Sequence, residues 1–463
     1  MKRSTQTASE SARSAFEARR ERLLQDFHAA RERGLTPRLH KRTSNLFRIR
    51  PPADRAARLD VTDFRHVIAI DPERRVAEVE GMTTYEDLVE AALPYGLMPA
   101  VVPQLKTITV GGAVTGGGIE SSSFRYGFVH ETVEALEILD GRGETVHAQP
   151  DNEHRALFYG FANSYGTLGY ALRVWIQLIP IRPYVQVIHT HHSDPDEYFN
   201  NMAETCRAAR HHERPTAFID GAVFDETNLY QTEGSFVDEA ERVSRYTFMD
   251  IYYRSIRRKE QDTLATRDYL WRWDTDWFWC SRAYGMEIPA LRFLAGSLGL
   301  LNSATYWKLR DWNERGRILE RLGLLRDVEW VIQDVEIPVT HAPTFLAFLH
   351  REIGIRPIWI CPAQAARTNT VYPLYRTDPD TLYINFGFWG GKKTDQPDGY
   401  HNRLIEERVA ELEGKKSLYS TSFFTEEDFW ARYNRPAHDA LKTQYDPENT
   451  FPDLYTKCVG TPG

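Results

Sequence analysis

The sequence has no closely spaced cysteine pair, no long apolar run and no excess of positive charge. Its four cysteines, Cys206, Cys280, Cys361 and Cys458, are scattered without a CxxC spacing. That excludes the usual zinc and thioredoxin patterns, leaves no metal to expect, and gives no disulfide framework. A reducing, cytoplasmic setting is expected, peripheral at the inner membrane face if the substrate is a lipid. No stretch reaches about 18 apolar residues, so no segment reads as membrane-spanning. Charges interrupt every short apolar run before Gly34, so no signal core is expected. The formal net charge of −8 argues against general nucleic-acid binding, which needs a basic face to displace counterions.

What the chain does have is aromatic surface. Eleven Trp, 23 Tyr and 23 Phe make 12% of the 463 residues. They suit either an ordinary large core or the wide apolar walls of a site.

Residues from about Ser9 to Gly34 read as one helix, with Ala15, Leu23, Leu24, Phe27 and Ala30 at helical spacing. It is either a packing helix or, through Arg13, Arg19, Arg20 and Arg22, a membrane-surface or partner-docking one. Val67 to Ile70 and Val76 to Val79 flank a turn at Asp71 to Arg75. Thr83 or Thr84 caps the next helix, with Leu88, Ala91 and Ala92 inward. Farther on, Val331 to Ile337 and Leu382 to Phe388 alternate as strands around a helix from Pro343 to Ile353. That order predicts a helix-covered antiparallel sheet.

The segment Thr107 to Gly118 carries paired and tripled glycines, Gly111-Gly112 and Gly116-Gly117-Gly118. Such a run lets backbone N–H groups approach a ligand and form an anion-binding concavity; a tight structural loop explains it equally. It is not GxGxxG, because it follows the Pro-bounded piece Pro99 to Pro103 and opens no βαβ unit. Two further small-residue segments accompany it, Thr43-Ser44-Asn45-Leu46-Phe47-Arg48 and Asn163 to Gly169.

The glycine segment, Glu120 to Gly127, and Ser164 to Gly169 together resemble the FAD domain of the vanillyl-alcohol oxidase superfamily. Gly116 to Ser123, Pro357 to Pro362, Glu427 to Trp430 and Phe451 to Tyr455 are similar to the Δ24-sterol reductases. Thr43 to Arg48, Val102 to Thr109 and Trp271 to Arg282 more closely resemble the actinobacterial reductases of tuberculostearic-acid synthesis, which reduce a 10-methylene fatty acyl chain made by a partner methyltransferase to the 10-methyl product. The resemblance implies an α+β fold, with a PCMH-type two-subdomain FAD domain and a substrate (cap) domain on an antiparallel sheet. The expected divisions are 1–36 for the N-terminal helix, 37–182 for the FAD domain, 183–410 for the cap and 411–463 for a segment returning to the FAD domain.

The same resemblance implies that Thr43, Ser44, Asn45, Thr107, Gly111, Gly112, Gly116, Gly117 and Gly118 hold FAD, with Gly166, Thr167 and Gly169 near its isoalloxazine. It also makes Lys442 a candidate cation at the flavin pyrimidine, an exposed helix lysine being the alternative. No His lies within Thr43 to Arg48 or Gly111 to Gly118, so FAD is expected to be non-covalent; His40 and His130, just outside, read as surface or core residues.

An isolated alkene lacks a carbonyl to withdraw charge, so the protein must supply an acid, position the chain and exclude water. Asp274 and Asp276, among Trp271, Trp273, Trp277 and Trp279, are the first candidates, because desolvation there would keep a carboxyl protonated. Pairing with Arg272 or Arg282 would make them structural instead. Glu120 either approaches the flavin or caps a helix. Three functions are in view: an NADPH-fed reductase of a lipid double bond, an alcohol or sugar oxidase, and a non-catalytic flavin-binding partner of a SAM-dependent lipid methyltransferase.

Overall fold

The structure, a computed structural model, describes residues 2–44, 46–48, 56–316 and 328–459. The fold is α+β. The first helix, Lys2–Glu32, buries Phe16, Leu23, Phe27 and Ala30 against the sheet beneath it. Three of its four named arginines are engaged there: Arg13 meets Glu78 at 2.7 Å, Arg20 meets Glu137 at 3.1 Å, and Arg19 pairs with Glu80, while Arg22 is exposed. Of the two readings of this helix, the packing one fits.

Strands β1 (Thr36–His40) and β2 (Ala56–Asp60) pair in parallel. The first large sheet holds β3 (Val67–Asp71), β4 (Val76–Glu80), β5 (Leu97–Pro99), β6 (Val133–Leu139), β7 (Thr145–Ala148) and β8 (Tyr170–Pro180). Its order is β3-β4-β8-β6-β7, with β5 also on β8. Thr84 caps the helix Tyr85–Ala92 by accepting from Asp87 N at 3.1 Å, and Leu88 and Ala92 face the core while Ala91 is half-buried.

The second sheet has eight strands: β9 (Tyr184–His192), β10 (Thr216–Asp225), β11 (Asn228–Val237), β12 (Gln261–Ala265), β13 (Val328–Pro338), β14 (Ile358–Ala363), β15 (Tyr383–Lys393) and β16 (Lys415–Lys416). Their order is β12-β9-β11-β10-β14-β15-β13-β16, antiparallel at each pairing. The expected helix lies between β13 and β14 as Ala342–Phe348, followed by a wider turn at Leu349–Ile353.

The period-2 alternation of these strands gives the sheet two unlike faces. Ile219, Val335, Ile337, Ile360 and Phe386 form one, buried under the helices Pro195–Arg210, Ala342–Phe348 and Tyr400–Glu411. The opposite face carries a polar row. His189 pairs with Thr232, Thr232 with Asp220, Cys361 with Asn385, and Asn385 with Glu336; Asp220 stands abreast of Cys361, one residue along from the Gly221–Ile360 pair. Every member of this row is buried. Trp359, Gly387 and Asp334 form the next row on the same face. This face looks toward the glycine segment and the aromatic stretch from Trp271.

Candidate functional site

The glycine segment is a short helix, Val110–Gly116, where a loop was expected. Thr109 caps it by accepting from Gly112 N at 3.3 Å. Three glycines answer to packing, two in this segment and one in the third. A Cβ on Gly111 would stand 2.7 Å from the Gly81 carbonyl oxygen, and one on Gly118 would be wedged among Val129, Ala113 and Pro103. Gly169, in the third segment, would strike the Leu139 carbonyl at 2.5 Å. Gly112, Gly116 and Gly117 differ. A Cβ on Gly112 would press on Thr109 Oγ1 at 2.9 Å, one on Gly116 would touch the Tyr165 ring at 3.5 Å, and one on Gly117 a single carbon at 4.0 Å. Gly117 sits at φ +71° as the helix C-cap, a conformation costly for other side chains.

The other segments converge here. Thr43 Oγ1 donates to the Thr107 carbonyl at 3.3 Å; Asn45 lies outside the described residues. Arg48 is buried, donates to the Leu418 carbonyl at 2.9 Å and lies 4.7 Å over the Tyr165 ring, whose hydroxyl donates to the Gly116 carbonyl at 3.1 Å. Gly166, at φ +80°, turns the chain after Tyr165, and Thr167 Oγ1 donates to the Ser164 carbonyl at 2.8 Å. Ser164 Oγ is buried with no hydrogen-bond partner. A cavity of about 130 Å³ opens beside the first segment, lined by Arg42, Thr43, Thr62, Arg65, Met82 and Thr84 among others. Lys442 is buried rather than exposed. It pairs with Asp446 and donates to the Phe451 carbonyl at 2.7 Å.

The aromatic stretch folds into turns and 3₁₀ pieces that bury all four tryptophans. Trp273 stacks on Phe278 at 5.1 Å, and Phe278 meets Trp359 at 5.3 Å and Trp389 at 4.6 Å. Trp277 stacks on Phe47 of the first segment at 6.1 Å, so the stretch and the cofactor segments share one wall. Trp277 (φ +45°) and Phe278 (φ +60°) are consecutive left-handed residues, a conformation that costs bulky side chains roughly 1–2 kcal/mol each.

The expected ion pairs are corrected. Asp276 accepts two bonds from Arg292 (2.6 and 3.0 Å) and a third from Ser281 Oγ, with Arg272 and Arg282 elsewhere. Asp274 accepts from Lys106 N at 3.1 Å and from Ser303. Burial raises its carboxyl above the usual range, while those bonds hold it down. Arg282 is exposed and donates to the Arg356 carbonyl at 2.6 Å. Both aspartates are therefore engaged as anchors of the wall.

Arg272 pairs instead with Glu120 at 3.0 Å and with Asp220 at 2.7 Å, all three buried. Trp273 Nε1 also donates to Asp220, at 3.3 Å, and the Tyr269 ring lies 4.0 Å from the guanidinium. Glu120 caps no helix; burial pushes its carboxyl up and Arg272 pulls it down. This cluster fastens the exit of the glycine segment, the eight-stranded sheet and the aromatic stretch at one point. Removing one partner of such a buried pair costs about 3–5 kcal/mol.

Two acids that the sequence reading passed over occupy successive inward positions of β13. Tyr419 Oη donates to Asp334 Oδ2 at 2.6 Å, Asn385 Nδ2 donates to Oδ1 at 2.8 Å, and Trp389 Nε1 donates to the Tyr419 oxygen at 2.9 Å. Glu336 is hydrogen-bonded to Tyr375. Burial raises Asp334 to about 6 and Glu336 to about 8, the Asp334 charge adding to the latter. The only signal for them was polar residues at alternate positions of a predicted strand, which reads equally as a solvated face.

Buried Ser164 Oγ without a partner and the space left at Gly116 and Gly117 fit a bound dinucleotide with its anionic centre at the glycine helix. Residues 23–149 match the FAD binding domain family. The FAD binding domain thus spans the first and second cofactor segments. Over a longer stretch the chain is 25% identical to Delta(24)-sterol reductase of Pisum sativum, across 86% of this chain and 76% of the relative. It is 24% identical to Delta(24)-sterol reductase of Homo sapiens, across 84% and 75%. Cytokinin dehydrogenase 10 of Oryza sativa subsp. japonica is 30% identical over 129 residues, 28% of this chain and 23% of that one. The protein is an FAD-dependent oxidoreductase.

Proposed function

We propose that this enzyme reduces an unactivated carbon–carbon double bond in a lipid, the 10-methylene group of a fatty acyl chain, to the 10-methyl product, with NADPH as donor. A SAM-dependent methyltransferase would supply the methylene lipid, and the reaction would run at the cytoplasmic face of the membrane. The reading rests on one observation: a buried, protonatable carboxyl, Glu336, neighbours Asp334, which Tyr419 and Trp389 join to an aromatic wall. An isolated alkene gains cation character at its branch carbon only if a proton is delivered to the terminal CH2, and Glu336, raised to about 8, holds one at neutral pH. FAD, when bound and reduced by NADPH, would supply the hydride. The segments of Thr43, of Gly112 to Gly117 and of Gly166 to Thr167 would hold it.

The residues of this chain do the remaining work. Trp273, Phe278, Trp359 and Trp389 line an apolar wall that excludes water from the chain. Tyr419 and Asn385 fix the orientation of Asp334, while burial, with the Asp334 charge adding to it, keeps the neighbouring Glu336 protonated. Asp274, Asp276 and Arg272 hold the wall in place.

A sterol side-chain double bond is the second reading, favoured by the relatives' names and by the length of chain they match. Both readings place the acid and the wall alike. The test is anaerobic: NADPH should bleach the flavin, and dispersed 10-methylene phospholipid should restore the oxidised spectrum. Restoration by a Δ24-sterol alone would move the substrate to the second reading. Reoxidation by oxygen alone, or bleaching by an alcohol, would overturn both. Accumulation of 10-methylene chains in cells lacking the protein is the matching lipid measurement.

A further inference from the structure

The helix Pro289–Ser297 is inverted in charge. Its one charged residue, Arg292, is buried, chelating Asp276 and donating to the carbonyls of Phe248 and Asp250. Its leucines and phenylalanine face outward. Phe293 is 58% exposed, Leu294 59% and Leu298 64%, and Ile288, Phe248 and Met249 are exposed beside them. Phe248 meets Phe293 at 5.7 Å, so these side chains form one surface. From Ile288 to Ala304 no charged residue other than Arg292 occurs. A helix in water turns its charges out and its apolar stripe in; this one does the reverse. Contiguous apolar surface of this kind marks an interaction site.

We propose that this helix and the Phe248–Met249 turn form the element that docks the enzyme on an anionic lipid surface. Three observations choose that occupant. Arg245, Arg282 and Lys308 are exposed at the patch's flanks in sequence, while Glu287, the acid that leads into the helix, is engaged by Arg254 at 2.8 Å and by Tyr253; Asp250 is the exposed acid beside Met249. Exposed cations flanking an apolar face complement anionic headgroups. A second copy would bring the same cations together across a two-fold axis. The patch also continues inward: Tyr284 stacks on Tyr306 at 5.6 Å, Tyr306 on Trp277 at 6.4 Å, and Trp277 on Phe47. These packed rings join the docking face to the cofactor segments. The choice of a lipid occupant rests on the proposed substrate class, whereas vesicle binding needs no turnover.

The test is flotation of the FAD-loaded enzyme with vesicles of phosphatidylglycerol and phosphatidylcholine, compared with pure phosphatidylcholine. The wild type should float with the anionic vesicles and bind the neutral ones more weakly. Leu294→Glu and Leu298→Glu should each lower binding about tenfold or more, since burying one leucine is worth at least that factor. Flavin content and NADPH bleaching should stay unchanged, and turnover should fall for lipid held in vesicles but not for lipid dispersed in detergent. Hydrogen exchange on the wild type gives a second reading, with slowed exchange expected across 288–300 when vesicles are added. Wild type left at the bottom of the gradient overturns the proposal even if the lipid is reduced. So does a concentration-dependent dimer that Leu294→Glu dissociates without any change in flotation. Flotation without turnover would keep the docking surface and sink the substrate reading.

Discussion

Tyr419 Oη donates to Asp334 Oδ2 at 2.6 Å, with Trp389 Nε1 donating to the same phenol at 2.9 Å. This joins the aromatic wall to the carboxyl pair of β13. Asp334, fixed as a hydrogen-bonded acceptor, leaves its neighbour Glu336 to carry the proton.

Glu336→Gln should leave NADPH bleaching of the flavin intact and slow lipid-driven reoxidation by roughly 10²–10⁴-fold, the usual worth of a general acid. In the wild type, reoxidation should fall as pH rises through about 8, where Glu336 loses its proton. Stopped-flow measurements of the two half-reactions separate them. Equal slowing of both, or none of either, would remove Glu336 from the acid role.

Stability should respond to the same group. Its folded pKa, about 8, lies above the ordinary 4.5, so the folded state binds the extra proton between those values. The contribution is full below about pH 4.5 and is lost as pH rises through about 8. Chemical unfolding across that window should show wild-type stability falling with pH. The Glu336→Gln protein should show a shallower fall.

Asp276→Asn leaves Arg292 facing a neutral amide inside the protein. The variant should lose about 3–5 kcal/mol of stability, read from denaturant unfolding, while the folded fraction keeps near-normal reoxidation rates. A variant that keeps its stability and loses only reoxidation would return Asp276 to the list of proton donors.

Gly117→Val should abolish FAD loading. Gly117 sits at φ +71°, which a β-branched residue adopts at high cost. Gly117→Asn should retain partial loading, because asparagine tolerates that region. Normal flavin absorbance in a folded Gly117→Val protein would take this turn out of the site.

The purified protein should be yellow and should release all its FAD on acid precipitation. His130 is buried and stacked on Phe128, and His40 lies near Asp60; neither belongs to the segments that would hold FAD. Flavin retained in the pellet would establish a covalent link.

Much of the fold was legible because its signals are local. The alternation of Val331 to Ile337, the Thr84 cap and the two strands around the turn at Asp71 to Arg75 follow from period and capping alone. The glycine segment was legible as a site but not as a helix, since Thr109 caps too short a run to show a period. The ion pairs were not legible. Arg272 reaches Glu120 and Asp220, 152 and 52 residues away in sequence, whereas sequence reasoning looked to neighbours. Asp334 and Glu336 were missed for a related reason: an inward polar row on a sheet covered by a second layer has the same spacing as an outward one. The exposed leucines of Pro289–Ser297 carried no warning, because burial is decided by what lies opposite.

The two faces of the eight-stranded sheet make strand register a determinant of chemistry. Across β13, Val335 and Ile337 lie under helices while Asp334 and Glu336 face the aromatic wall. A slip of one residue between β13 and β15 would exchange the two sets. The helices would then receive two carboxyls and the site two aliphatic side chains. A frame error of about 3.4 Å would thus leave every residue of the strand present and the proton donor absent.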